Sequence, residues 1–164
     1  MRVSYCFAGR KFNSPVAYEH PFDALMAGTG GLYGFLYVVV TLENNEQAVK
    51  APIDVTELLF DFARWCALQV IDLWDAPAVV REYLETGKPD IDGRTIANMD
   101  LSSASPEEGA ASSAALRAIV TLTPHAAAGW TAAIAQCAAP IERDAQRMKF
   151  KQMIDAELSE AAPV

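Results

Sequence analysis

The spacing of apolar residues changes along the chain. In the first 50 residues it is strand-like. Arg2 to Ala8 places Val3, Tyr5 and Phe7 at alternate positions, the period of a half-buried strand. Behind Gly34, the run Phe35-Leu36-Tyr37-Val38-Val39-Val40-Thr41-Leu42 is rich in β-branched and aromatic residues, which predicts a strand buried on both faces. Pro15, Pro21, Gly28, Gly30 and Gly31 punctuate the stretch between them. Pro21 to Met26 has room for one helical turn, and Glu43-Asn44-Asn45-Glu46 closes the unit as a polar turn.

Beyond residue 50 the period becomes helical. Over 54–74, Val55, Leu59, Phe62, Cys66, Val70 and Leu73 form one stripe, widened by Leu58, Trp65, Leu68 and Ile71. A stripe this wide belongs to a central helix. Asp54 with Glu57 three residues on resembles a capping box. The polar face is narrow: Glu57, Asp61, Arg64, Asp72 and Asp75. Asp75-Ala76-Pro77 predicts a stop and a fresh start, with Asp75 as cap and Pro in the first turn. Val79, Val80, Tyr83 and Leu84 give the next helix its apolar side, and Gly87 ends it.

Lys88 to Ala104 is polar and irregular. Its Asp90-Ile91-Asp92-Gly93 invites a calcium reading, but a third acidic ligand and the Glu at loop position twelve are missing, so a turn is expected. Ser105-Pro106-Glu107-Glu108, Thr123-Pro124 and Ala139-Pro140 each mark a helix start, predicting helices over 106–121, 124–138 and 141–158. Thirteen of the thirty residues from Ala110 to Ala139 are alanine. Small side chains let helix axes approach closely, and short connections force antiparallel neighbours. Trp130, Ile134 and Cys137 are the expected bulky anchors. Arg143, Arg147 and Lys151, four apart, make a basic ridge.

These elements predict a mainly α (α+β) protein. It is an antiparallel bundle of about five helices with a small N-terminal β unit, forming one domain over 1–164. Residues 1–50 pack on the helices of 54–158.

Composition agrees with a folded core: of 164 residues, 52% are apolar and 21% charged. The charge adds more. The net −8 lies entirely in residues 51–110, which hold twelve acidic and four basic side chains, while the flanking thirds balance to zero. A direct nucleic-acid contact needs a basic face, so that class is disfavoured. An acidic face steers and holds a basic partner over a screening length of about 8–10 Å. The competing reading is a solvated surface that keeps the protein soluble. The ridge could also neutralise the carboxylates, within one molecule or between two.

Candidate chemistry is sparse. His20 and His125 lack a metal-ligand neighbour at helical spacing. Cys6, Cys66 and Cys137 make no disulfide framework, and all three fall on faces that read as buried packing. Gly28-Thr29-Gly30-Gly31-Leu32-Tyr33-Gly34 superficially resembles a dinucleotide loop, but it precedes a strand instead of opening a helix. No cofactor or metal is expected. His125, just inside a helix start, reads as a surface residue. The segment after Met1 has no continuous apolar stretch, and Leu32 to Val40 is far short of the ~20 residues of a membrane helix. A reduced, cytoplasmic protein is expected.

The string Arg64-Trp65-Cys66-Ala67-Leu68-Gln69-Val70-Ile71-Asp72-Leu73-Trp74 is followed by Ala78-Val79-Val80-Arg81-Glu82-Tyr83-Leu84-Glu85-Thr86-Gly87, then by the alanine-rich tract and Ile141-Glu142-Arg143-Asp144-Ala145-Gln146-Arg147-Met148. Over about 57–158 this resembles the alanine-rich helical immunity proteins of bacterial toxin systems. The resemblance implies a small cytoplasmic protein that binds and blocks a toxin, and it carries over no catalytic residue.

Three functions compete. The first is an acidic inhibitor that masks the basic surface of a nuclease or nucleic-acid-binding complex, of toxin-immunity or phage anti-defence type. Its contacts would be Asp61, Asp72, Asp75, Glu82, Glu85, Asp90 and Asp92. The second is a homodimeric structural or scaffold protein. The third is an enzyme with a site around Cys6, His20 and His125. The inhibitor is the favoured reading, with a basic protein as partner and no membrane.

Overall fold

The computed structural model of the chain describes residues 2–7, 17–27, 35–41, 47–49, 53–88, 105–139 and 143–161. The two apolar runs at the N-terminus form strands β1 (Arg2–Phe7) and β2 (Phe35–Thr41), paired antiparallel from Arg2↔Thr41 to Phe7↔Leu36. On the other side of β2 lie β3 (Gln47–Val49) and the two-residue β4 (Ile53–Asp54), also antiparallel to it. Beyond β1, Tyr5 and Tyr18 exchange backbone hydrogen bonds of 2.6 and 2.8 Å.

Opposed residues share a sheet face, so Tyr5, Phe7, Leu36 and Val38 point together into the core, where all four are buried. The opposite face carries Cys6, Tyr37 and Phe35. Cys6 is fully buried, Tyr37 half-buried and Phe35 37% exposed. The expected burial of β2 on both faces is therefore only partly realised.

The single turn expected after Pro21 is α1 (Pro21–Met26), which buries Phe22, Ala24 and Leu25. The central helix is α2 (Thr56–Leu68), shorter than the sequence suggested. At its end Val70 N–H donates to the Ala67 carbonyl, three residues back, and the chain tightens into a 3₁₀ turn over Ile71–Leu73. The tightening keeps Val70 and Ile71 inside but rotates Leu73 out of the stripe, leaving it 40% exposed. Asp54 does hold the start of α2, accepting the Thr56 N–H at 2.9 Å. The N-cap itself is Val55, so Glu57 sits one position too early for a capping box.

Helix α3 (Ala78–Thr86) begins at Pro77 with no side-chain cap, so Asp75 does not cap it. It ends as expected at Gly87, whose φ of +67° suits glycine and whose N–H bonds to the Tyr83 carbonyl. Helices α4 (Pro106–Val120) and α5 (Pro124–Ala138) are joined by three residues and form the expected antiparallel hairpin. Ser105 Oγ caps α4 by accepting the Glu108 N–H at 3.2 Å. Helix α6 (Arg143–Ala161) packs mainly on α1 and α2.

Two apolar regions result. At the junction of β1, α1, α2 and α6, the Phe150 ring lies 4.7 Å from Phe62, 6.3 Å from Phe22 and 6.5 Å from Phe7. In the second, Ile71 and the α3 residues Val80 and Leu84 pack on Ala63, Ala67, Ala115, Ala118 and Ala127 of α2, α4 and α5. Ala127, Ala128, Ala132, Ala135 and Ala138 of α5 face inward, together with Thr131, while Trp130 is 53% exposed, Cys137 is exposed and Ile134 is half-buried. The expected bulky anchors are therefore the outer edge of α5. Close helix approach is incompatible with an indole at the contact.

Candidate protein-binding face

The carboxylates singled out in the sequence divide into three groups. Asp61 is bridged by Arg64 one turn along α2. The Arg64 guanidinium also lies over Gly87 at the C-terminal end of α3, where a Cβ would meet it at 2.6 Å. Asp72 is bridged to Arg81 at 2.7 Å, although its side chain remains 85% exposed. Asp90 and Asp92 lie outside the described residues.

Asp75, Glu82 and Glu85 form the third group. Val80 and Leu84 pin one side of α3 to the alanine-lined helices, which turns Glu82 and Glu85 outward on the opposite side. Asp75 is exposed just before the helix. Among the described residues, none of the three has a cation within ion-pair distance. Glu82 and Glu85, three apart, share one side of α3, Asp75 lies in the segment before its N-cap, and exposed Leu73 adds an apolar residue nearby in the chain.

The basic ridge goes elsewhere. Arg147 and Arg143 reach Asp23 of α1 at 2.5 and 3.8 Å, and Lys151 reaches Asp155 at 2.5 Å. These contacts lie on the α1–α6 side of the molecule. The ridge therefore does not neutralise the α2–α3 carboxylates. Paired exposed charges contribute about 0–1 kcal/mol each, so the bridges to Asp61 and Asp72 matter chiefly by reducing the local field.

Cys6 and His125 are not brought together. Cys6 points to the sheet face opposite Phe7, whereas His125 packs edge-on against Phe7 at 5.3 Å on the core side. Burial raises the Cys6 thiol pKa, the wrong direction for a nucleophile. His20 is a cap: its Nδ1 accepts the Phe22 N–H at 3.2 Å. Burial, then Arg147, holds its pKa below the ordinary imidazole value. His125 is buried, contrary to the surface position expected. Desolvation lowers its pKa against the opposing hydrogen bond to the Leu25 backbone, and among the described residues its Nε2 has no partner. Cys66 is buried with its pKa raised, and Cys137 is exposed.

Gln146 was not singled out by the sequence reading. Fully buried, it donates through Nε2 to the Ala132 carbonyl at 3.2 Å and accepts from Gln136. The signal was its place in the row Gln146, Phe150, Ile154 and Leu158, each four residues apart. An open groove of about 520 Å³ lies between the start of α1 and α6, lined by His20, Asp144, Arg147, Met148, Lys151, Gln152 and Asp155. A second, of about 540 Å³, runs along α4 beside Leu116, Arg117 and Ile134. Arg117 stacks over Trp130 at 5.1 Å.

Among the described residues no three His, Cys, Asp or Glu side chains are grouped to hold a metal ion, and no helix is long and apolar enough to cross a membrane. No protein-family model matches the chain, and neither does any curated protein or solved structure.

Proposed function

We propose that this protein is an acidic inhibitor whose α3 side binds and masks the basic surface of a nuclease or nucleic-acid-binding complex. The observation that carries the reading is the set Asp75, Glu82 and Glu85, exposed and, among the described residues, without a cation of their own. Val80 and Leu84 seat the α3 backbone that carries Glu82 and Glu85, which limits the backbone ordering cost of association. Opposed to lysines and arginines that otherwise hold phosphate, they would steer encounter and compete for the nucleic-acid site. Leu73 supplies an apolar contact beside the charge, since charge alone gives speed and selectivity more than affinity. The same carboxylates repel phosphate, so the partner is protein. Toxin immunity and phage anti-defence are two settings for this masking, and both place the protein in the cytoplasm.

The test is capture on immobilised protein from a host lysate, in parallel with the variant Asp75→Lys, Glu82→Lys, Glu85→Lys. The expected result is a basic protein retained by the wild type at low salt, released as salt rises through about 0.3–0.5 M, and not retained by the variant. Equal retention by a folded variant would overturn the proposal.

A further inference from the structure

The chain has two histidines, and they hold the two ends of the same short helix. At the start of α1, His20 Nδ1 accepts the Phe22 N–H at 3.2 Å. Near its end, the His125 ring is hydrogen-bonded to the Leu25 backbone, with Nε2 buried and, among the described residues, unpartnered. A helix of six residues has no independent stability. Its order depends on the burial of Phe22 and Leu25 and on these end contacts. The cap requires a lone pair on Nδ1. A protonated imidazole has donors on both nitrogens and none to accept with.

The surroundings of His20 are charged on several sides. Arg147 and Lys151 face it from α6 and oppose a proton. Asp23 of α1 and Asp155 of α6 favour one. Asp144 lines the same groove, Glu19 precedes it in the chain, and Tyr5 of β1 interacts with Lys151 and Asp155. Asp23 is also the carboxylate that engages Arg147 and Arg143. Whatever moves α1 removes that partner from the ridge.

We propose that α1 is an acid-released latch triggered by His20: a proton on the capping ring frees the helix start, carries Asp23 off α6 and leaves Arg143 and Arg147 as an uncompensated basic surface. At neutral pH the latch is closed. Burial, then Arg147, lowers the pH at which the ring takes up a proton relative to an ordinary imidazole. His125 sits deeper, facing Phe7 and the Leu25 backbone, and among the described residues it meets no charged group. Phe22 and Leu25 of α1 are buried in the junction with Phe62 and Phe150, so release is a fraying of the capped helix start around Asp23 while the junction behind it persists.

The experiment is hydrogen exchange on the full chain at pH 7.5 and pH 5.0, corrected for the intrinsic pH dependence of exchange. Protection of 21–27 is expressed relative to that of α2. The wild type should lose about threefold or more of this relative protection at pH 5.0. His20→Asn, which caps without titrating, should keep it within about twofold at both pH values. His20→Ser, capping through its hydroxyl, should behave the same way and serves if the first variant folds poorly. An unchanged wild-type ratio, or an equal loss in the capping variants, would overturn the latch.

Discussion

Where β1, α1, α2 and α6 meet, four phenylalanines fill the space. Where α2 and α3 meet the α4–α5 hairpin, most of the filling is done by alanine. The first region is made by large side chains between widely separated elements, the second by drawing helices together until small ones suffice. They should fail in opposite ways. An aromatic junction is injured by removing volume, an alanine contact by adding it. They also carry different roles. The alanine side seats α3 and its carboxylates, while the aromatic side seats α1, capped by His20 and met by His125 of α5.

The largest effect expected is from Phe150→Ala. This ring is fully buried and touches Phe7, Phe22 and Phe62, so its loss should cost about 3–5 kcal/mol in denaturant unfolding. Ala127→Leu adds volume at a fully buried position of α5 in the alanine-filled region and should cost about 1–3 kcal/mol. Trp130→Ala, three residues away on the exposed edge, should stay within about 1 kcal/mol. If the exposed tryptophan proved more costly than the enlarged alanine, the inward face of α5 would be misassigned.

A smaller effect separates the regions by pH. His125 is held neutral by burial beside Phe7, so its folded pKa lies below the ordinary value of 6.5. Above about pH 6.5 the ring is neutral in both states and contributes no slope. Below that, the unfolded chain takes up a proton that the folded one resists. Stability should therefore fall with pH until the folded pKa is passed. His125→Phe should flatten part of this slope in urea unfolding between pH 7.5 and pH 5.0. An unchanged slope would mean that the ring is not the group resisting protonation.

The sequence made some of this visible and hid the rest for physical reasons. Ser105, Gly87 and Pro21 marked helix ends because their chemistry is local: a hydroxyl acceptor, tolerance of positive φ, and a fixed φ with no donor. The end of α2 was not visible, since its stripe continues through Val70 and Ile71 while the backbone tightens beneath them. Periodicity identifies an apolar face. It does not say which side of an alanine-rich helix turns inward, so Trp130 was misplaced. The carboxylates of α3 were legible as an excess of charge. That Arg147 engages Asp23, and so leaves them alone, depends on a contact between residues 124 positions apart.

The claim on which the functional reading rests is that Asp75, Glu82 and Glu85 are the carboxylates the molecule offers outward. Zero-length carbodiimide coupling to a short oligolysine peptide at low salt, mapped by peptide mass, measures that offer directly. Coupling concentrated on these three residues is the predicted result. Coupling as heavy on Asp144 and Asp155 of α6 would contradict it.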